Sequence, residues 1–417
     1  MKKLLILGGG SLSIEIVKAA KEMGIYTVVT DWYSLDQSPA KQIADKAEFI
    51  STTDTKALLN LILKDKIDGV LTGYTDSTLP YYWRLCQEAN LPCYGTLEQF
   101  DFACDKEKFK NKCREFGISV VEEYQLNAPI MDFALNFKKF PILLKPVDNS
   151  GARGIHIVSE AMEFEKAYES ALSASPSKTV LIERLMNHEE ITAFYIVVNS
   201  KVYLLGTADR HVRKIQPNTI PLPVGYTFPS KCHSIYSKTT NGKVVRMLES
   251  IGLRNGLVFI QSFVDGDDFV FYEMGFRLTG SLEHYIYEAA TGINPLKMLI
   301  NFAVNGEMCE EDNFNAINFN GYGYNLTYLL SPGVISKISG LEHLLNLGKD
   351  INCKFLLSYK ESDEIPETAL GTLQQVGLRV LLYSKSKSQL QMVKEHLQHI
   401  SFTNEKGEIM GLSNFDF

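Results

Sequence analysis

A lysine and a loop of small residues lie next to each other in the segment 140–157. Residues 142–144 form an apolar run typical of a buried strand, and Lys145 follows them directly. Residues 148–154 favour a turn, and apolar residues alternate again over 155–157, which predicts a second strand. A loop of small residues can bring backbone N–H groups against a phosphate, and Lys145 would add positive charge. The alternative is a surface hairpin with an incidental lysine.

Oxygen-bearing side chains occur on both arms of a second predicted hairpin. Gln261 precedes and Glu273 follows the turn signal Asp265-Gly266, so the two side chains could face one another. Oxygen ligands on adjacent strands, completed by substrate phosphates, are typical of Mg²⁺ sites. The segment therefore predicts a metal site. Arg277 follows Glu273 by four residues.

The order of these segments resembles the ATP-grasp superfamily, and is similar to the carbamoyl-phosphate synthetase large subunit and biotin carboxylase-like carboxylate–amine ligases. The resemblance implies that two lysines bind ATP phosphates under a glycine loop. It also implies that a strand end clamps adenine and that a later glutamate accepts the ribose hydroxyls. The residues concerned are, in chain order, Lys106, Lys145, Ser150, Gly151, Gly154, Glu183, Arg184, Leu185 and Glu190.

The metal segment also resembles the family, whose consensus has an acid or Gln and then Glu-x-Asn-x-Arg. The resemblance implies that Gln261 and Glu273 hold Mg²⁺, which Mn²⁺ could replace, and that Arg277 and Lys145 are catalytic. Gly275 stands where the family has Asn, which puts the second metal position in doubt. Either water or another side chain substitutes there, or a second ion binds weakly. A structural hairpin with a chance acid does not explain why Gln, Glu and Arg all match.

The elements that would position these residues indicate an α/β (α+β) protein. Apolar runs at 4–7, 27–30 and 70–72, and a start at 91–94, alternate with helical segments, which predicts a parallel sheet. The resemblance adds a Rossmann-like pre-ATP-grasp domain over 1–97 and a two-part ATP-grasp domain over 98–305, with a mobile lid at about 118–185. A small β-rich C-terminal α+β domain would cover 306–417.

The N-terminal glycine turn leaves a second interpretation open. Gly8 and Gly10 before a helix, with Asp31 about 20 residues on, partly match a dinucleotide-binding pattern. Ser13 occupies the third glycine position. The alternative is a tight turn in a Rossmann-like sheet that binds no NAD.

Composition restricts the classes of partner. The 417 residues carry a net charge of −7, which disfavours nucleic acid, and no apolar run is long enough to span a membrane. Seven cysteines without a Cys-x-x-Cys pair are typical of reduced thiols, so we expect a cytoplasmic protein. The resemblance implies small-molecule carboxylate and amine substrates, and a homodimer is its usual assembly.

The implied function is ATP- and Mg²⁺-dependent ligation with release of ADP, in which an acyl-phosphate is joined to an amine or thiol. Two alternatives stay open: an ATP-binding regulatory protein with impaired catalysis, and a nicotinamide-dependent oxidoreductase. The sequence does not identify the carboxylate or the amine.

Overall fold

The computed structural model describes residues 1–149, 154–214, 221–308, 314, 317, 319–347 and 351–412, apart from the side chains of 395 and 396. In this part of the chain, no helix is long and apolar enough to cross a membrane.

The N-terminal segment forms a parallel four-stranded sheet flanked by helices, in the order β3-β2-β1-β4. Its elements are β1 (Lys3–Leu7), α1 (Ser13–Glu22), β2 (Tyr26–Thr30), α2 (Pro39–Ile43), β3 (Lys46–Glu48), α3 (Thr55–Asp65), β4 (Gly69–Thr72) and α4 (Leu79–Ala89). The strand expected from residue 91 is wrong. Pro92 has no N–H to donate to a ladder, and Tyr94 instead packs against Phe100 and Phe276. The sheet still has four strands, because the short strand β3, which the sequence did not predict, pairs with β2.

A smaller antiparallel sheet follows, in the order β5-β8-β6-β7. The elements of this segment are α5 (Leu97–Cys104), α6 (Lys106–Glu115), β5 (Glu123–Tyr124), α7 (Ile130–Asn136), β6 (Ile142–Pro146), β7 (His156–Val158), α8 (Ala161–Ala174) and β8 (Val180–Arg184). The predicted hairpin is confirmed, because Leu143 pairs with Ile157. This sheet and its helices enclose a separate apolar cluster around Phe164, so the lysine-bearing strand belongs to a small unit with its own core.

The remaining chain builds an eight-stranded antiparallel sheet, in the order β13-β12-β9-β10-β11-β14-β19-β17. The first part of this remaining chain contains β9 (Glu190–Val198), β10 (Lys201–Arg213), β11 (Leu222–Phe228), α9 (His233–Thr239), α10 (Asn241–Ser250), β12 (Gly256–Asp265), β13 (Asp268–Phe276), α11 (His284–Thr291) and α12 (Pro295–Asn305). The second part contains β14 (Tyr322–Leu329), β15 (Gly333–Val334), β16 (Lys337–Ser339), α13 (Glu342–Leu345), β17 (Asn352–Leu357), β18 (Glu364–Ile365), β19 (Val376–Ser384), α14 (Lys387–Leu397) and β20 (Ser401–Thr403). Strands β15 and β18, and strands β16 and β20, pair in two separate two-stranded sheets.

The large sheet runs across the domain boundary predicted at 305. Strand β11 pairs directly with β14, and β14 with β19. The C-terminal strands therefore extend the central sheet, although a second apolar cluster around Leu390 packs beneath them. The domain limits themselves stay predictions.

Candidate active site

One cavity of about 630 Å³ brings together side chains from the small antiparallel sheet, the eight-stranded sheet and helix α1 of the N-terminal segment. Of the residues predicted for the site, those that line it are Lys106, Lys145, Glu183, Arg184, Leu185, Glu190, Gln261, Glu273 and Arg277. Ser150 and Gly151 lie outside the described residues. Gly154 lies just before β7 and does not line this cavity. Segments far apart in sequence thus share one space.

A cluster of lysines and acids forms one wall of the cavity. The Lys145 ammonium lies 2.8 Å from a Glu183 carboxylate oxygen, and Lys110 contacts the other oxygen. Lys106 donates to the backbone oxygen of Asn149, at 2.7 Å, where the loop after β6 begins. Sequence reasoning missed Lys110, although it follows Lys106 by one helical turn on α6 and shares its face. Glu183 is therefore held by two lysines, and its role in adenine binding stays a prediction.

Burial changes the ionisation of this cluster. The pKa of Lys145 is lowered to about 8, chiefly by desolvation and further by the neighbouring charges of Lys110 and Lys106, while Glu183 acts in the opposite direction. Burial would raise the pKa of Glu183, but Lys145 and Lys110 hold it below its usual value. The wall combines a carboxylate that stays ionised with an ammonium that titrates close to physiological pH.

Glu190 lies at the start of β9 in the large sheet. It forms an ion pair with Arg210, which is directly across from it on β10. The Tyr272 hydroxyl donates to the same carboxylate oxygen at 2.7 Å. From its sequence alone, the basic stretch 209–214 is compatible with a segment that binds a substrate carboxylate or the transferred phosphate, and equally with a solvated loop. Arg210 instead lies on a strand and orients Glu190, and the ribose role of Glu190 stays a prediction.

The predicted metal ligands face one another. Gln261 and Glu273 are direct cross-strand partners, and the β12–β13 register shifts immediately after Gln261, which re-aims side chains at this point. Among the described residues, neither side chain makes a hydrogen bond or ion pair, whereas Lys145, Arg210 and Arg277 in the same wall are each paired with a carboxylate. Two unengaged oxygen-bearing side chains at the edge of a cation-lined cavity fit a Mg²⁺ ion that phosphate oxygens would complete.

Gly275 differs from the family pattern for a steric reason. Phe259 is its cross-strand partner, and a Cβ built on Gly275 would collide with the Phe259 ring. The same ring lies 5.2 Å from the Arg277 guanidinium, a distance typical of a cation–π contact. The place of the expected Asn side chain is therefore filled by an aromatic ring that supports Arg277.

Arg277 is anchored by the N-terminal sheet. Its Nε and Nη2 donate to the two carboxylate oxygens of Asp76 at 2.6 and 2.8 Å, and Nη1 donates to the Leu278 carbonyl. Asp76 follows β4, at the carboxyl end of the parallel sheet. From the sequence alone, residues 73–76 are compatible with a substrate contact or with a plain turn. The bidentate pair fixes the plane of the guanidinium at the cavity edge.

The glycine turn of the N-terminal sheet is closed by its own acid. The Asp31 carboxylate accepts from the Gly9 N–H and from Ser38 Oγ, and pairs with Lys41 at 2.7 Å. A Cβ on Gly9 would collide with Ser38, so this glycine permits a close approach. The acid that a dinucleotide ribose would need is occupied, which disfavours the nicotinamide interpretation.

The family model described as "Carbamoyl-phosphate synthase L chain, ATP binding domain" matches residues 105–311. This range contains every nucleotide and metal residue predicted from the sequence. The chain carries an ATP-grasp domain.

Curated relatives of this ATP-grasp chain include formyltransferases, carboxylases and carbamoyl phosphate synthases. It is 28% identical over 192 residues to the formate-dependent phosphoribosylglycinamide formyltransferase of Prochlorococcus marinus, covering 45% of this chain and 48% of that enzyme. The chain thus spans about half the length of that relative.

Solved structures resemble the ATP-grasp chain over nearly its whole length. The L-amino acid ligase of Bacillus licheniformis superposes with a TM-score of 0.77 at 16% identity, covering 97% of this chain and 99% of that one. The biotin carboxylase domain of Hydrogenobacter thermophilus 2-oxoglutarate carboxylase, in complex with MgADP, ADP and bicarbonate, gives 0.77 at 19%, covering 99% and 91%. The predicted fold class is confirmed.

Proposed function

We propose that the protein is an ATP- and Mg²⁺-dependent, ADP-forming ligase that activates a small-molecule carboxylate as an acyl-phosphate and joins it to an amine. The observation that carries this proposal is the shared cavity. It places Lys106 and Lys145 in the same space as the unengaged oxygens of Gln261 and Glu273 and the anchored Arg277. The relatives named above support the same class of reaction.

In the proposed reaction, a carboxylate oxygen attacks the γ-phosphorus of ATP. The bond from that phosphorus to the β,γ-bridging oxygen breaks, and ADP leaves with the electron pair. The amine then attacks the acyl carbon, phosphate leaves, and the amine loses a proton.

The residues of the chain would act mainly by position and charge in this reaction. Lys106 and Lys145 would bind phosphate oxygens, and Arg277 would stabilise the negative charge of the transferred group. Gln261 and Glu273 would hold Mg²⁺, which neutralises charge between the β- and γ-phosphates when it is bound. The small sheet that carries Lys145 would close over the acyl-phosphate and exclude water.

The experiment is ADP release over a panel of carboxylates and amines, by wild type and by Lys145→Ala and Glu273→Ala. We expect each substitution to lower kcat by about 10²-fold or more, because each removes a group that offsets transition-state charge. Lys138→Ala and Glu165→Ala are matched controls on exposed positions of the small unit, and should turn over like wild type. Full turnover by both site variants would refute the assignment.

A second candidate function has one observation in its favour. The Phe259 ring fills the place of the usual Asn ligand, so one metal position differs from the family and catalysis could be lost. An ATP-binding regulatory protein would show calorimetric MgATP binding in wild type without ADP release from any substrate pair. Cytoplasmic location and a homodimer remain part of the proposal.

A further inference from the structure

Arg379 lies in the cavity wall far along the sheet from the predicted metal ligands. It stands on β19, directly opposite Leu356 of β17, and both residues line the cavity. Its Nη1 donates to Asn325 Oδ1 on the adjacent strand at 3.2 Å. Neither the family pattern nor the sequence motifs assign this residue a role.

Its surroundings leave the charge of Arg379 without a direct partner. Within the described residues, no carboxylate lies within 4 Å of its guanidinium, whereas Arg277 is paired with Asp76 and Arg210 with Glu190. The charge of Glu283 acts on Arg379, but the Glu283 carboxylate accepts hydrogen bonds from Thr279 and Ser281. Burial lowers the pKa of Arg379, with smaller opposing effects from Tyr226 and Glu283. An enclosed guanidinium without a counter-ion is costly for the free protein.

The guanidinium is nevertheless oriented. Asn325 accepts from Arg379 and donates through Nδ2 to the Ser281 carbonyl, four residues beyond Arg277. Leu282, next in this segment, adopts φ +58°, a strained backbone for a branched residue. A single amide thus links Arg379 to the segment that follows the proposed catalytic arginine.

The chemistry around Arg379 suits one negative charge on an apolar body. Apolar side chains make up the nearby wall, namely Leu222, Pro223, Phe355, Leu357, Leu373 and Val376. Lys18 also lines the cavity, but it is paired with Glu15. A planar guanidinium matches a carboxylate with two parallel hydrogen bonds, whereas a phosphate dianion would require more positive charge than this end offers.

We propose that Arg379 binds a non-reacting carboxylate group of a substrate. The substrate class is then a molecule that carries this carboxylate group on an apolar body. This inference rests on the proposed function, since it specifies what that reaction accepts. The carboxylate could belong to an amino-acid acceptor or be the second carboxylate of a dicarboxylic donor. Arg379 would determine specificity, while the phosphoryl chemistry takes place at the other end of the cavity.

The test compares carboxylates with their amides. Thermal-shift titrations, with and without Mg²⁺ and a non-hydrolysable ATP analogue, would use L-leucine against L-leucinamide for the acceptor and adipate against adipamate for the donor. We expect wild type to bind the carboxylate member of one pair about 10²-fold more tightly. Arg379→Gln should bind both members equally, and Arg379→Lys should retain part of the preference. Arg84→Gln, an exposed arginine on α4, should behave like wild type.

A folding measurement separates recognition from structure. Because Arg379 is a half-buried charge without an ion-pair partner among the described residues, ligand-free Arg379→Gln should melt at or above the temperature of wild type. A preference that persists in Arg379→Gln would overturn the inference, as would the absence of preference in both pairs for wild type. These readouts measure binding, so a missing ADP release would count against the proposed function alone.

Discussion

Lys145 carries the clearest pH dependence at the scale of single residues. Its pKa of about 8 means that it is charged below this pH and neutral above it in the free protein. The phosphates of ATP favour the charged form, so MgATP should bind most tightly below pH 8. Above pH 8 binding must take up a proton, and the Kd should rise about tenfold per pH unit.

Calorimetry at pH 7, 8 and 9, in two buffers of different ionisation enthalpy, measures both the affinity and the proton uptake. Lys145→Arg should remove the dependence, because a guanidinium stays charged throughout this range. A constant Kd with no proton uptake between pH 7 and 9 would contradict the proposed contact.

Gly275 gives a second prediction for a single residue. Gly275→Asn should lower the free energy of unfolding by about 1–3 kcal/mol, because the new side chain must displace the Phe259 ring from its well-packed position. Urea denaturation measures the change. Combined with Phe259→Ala, which makes room, Gly275→Asn should be better tolerated than in the wild-type background. Equal losses in both backgrounds would mean that the ring does not exclude the side chain.

Two contacts of the site that sequence reasoning did not predict join segments that are far apart in the chain. Lys145, Glu273 and Arg277 sit in local patterns whose residue types and spacing indicate their chemistry. Asp76 binds Arg277 from a distance of 201 positions along the chain. The Arg379 environment likewise depends on strands whose pairing the sequence does not reveal. Contacts between distant segments have no local periodicity, so the anchors of the site were not predictable.

Helix α6 illustrates the element scale, since one helical face presents Lys106 and Lys110 to the cavity wall. Lys110 lowers the pKa of Lys145 and binds Glu183 and Glu123. Lys110→Met should therefore raise the pKa of Lys145. The MgATP affinity of the variant should begin to fall at a higher pH than the value of about 8 expected for wild type. The substitution should also lower the free energy of unfolding by about 2 kcal/mol. This is less than the cost of leaving a buried carboxylate unpaired, because Glu183 and Glu123 each keep one cationic partner.

The same calorimetric pH series, with urea denaturation, tests the Lys110 prediction. Lys112→Met changes a lysine on the same helix that pairs with Glu115, outside the cluster, and is the matched control. An unchanged pH profile in Lys110→Met would show that the two lysines are not coupled.

Elements were predictable where their signals were local. The 142–157 hairpin combined apolar runs with a turn signal, and it forms as expected. The three-residue β3 was missed because its run is too short to show alternation. The segment at 91–94 looked apolar enough for a strand, but its apolar side chains bury against helices and Phe276 instead.

The molecule as a whole is organised by one sheet with functional side chains distributed along it. Strands β12 and β13 carry the predicted metal ligands, β9 carries Glu190, and β19 carries Arg379. The polypeptide after residue 305 therefore supplies a wall of the cavity as well as support. The resemblance predicted a closing domain there, but it did not show that its strands would continue the central sheet.

This continuity predicts how the chain tolerates truncation. A protein ending at residue 305 would expose the edge of β11, where Leu222, Val224, Tyr226 and Phe228 are buried in the full chain. An unpaired, apolar edge strand promotes association. We therefore expect the 1–305 protein to aggregate and to lose MgATP binding, measured by size-exclusion chromatography with light scattering and by calorimetry. A protein ending at 412 keeps every strand of the sheet and should remain like wild type. A monodisperse 1–305 protein that binds MgATP would instead mean that the first 305 residues fold independently and that the C-terminal strands pair with a finished sheet.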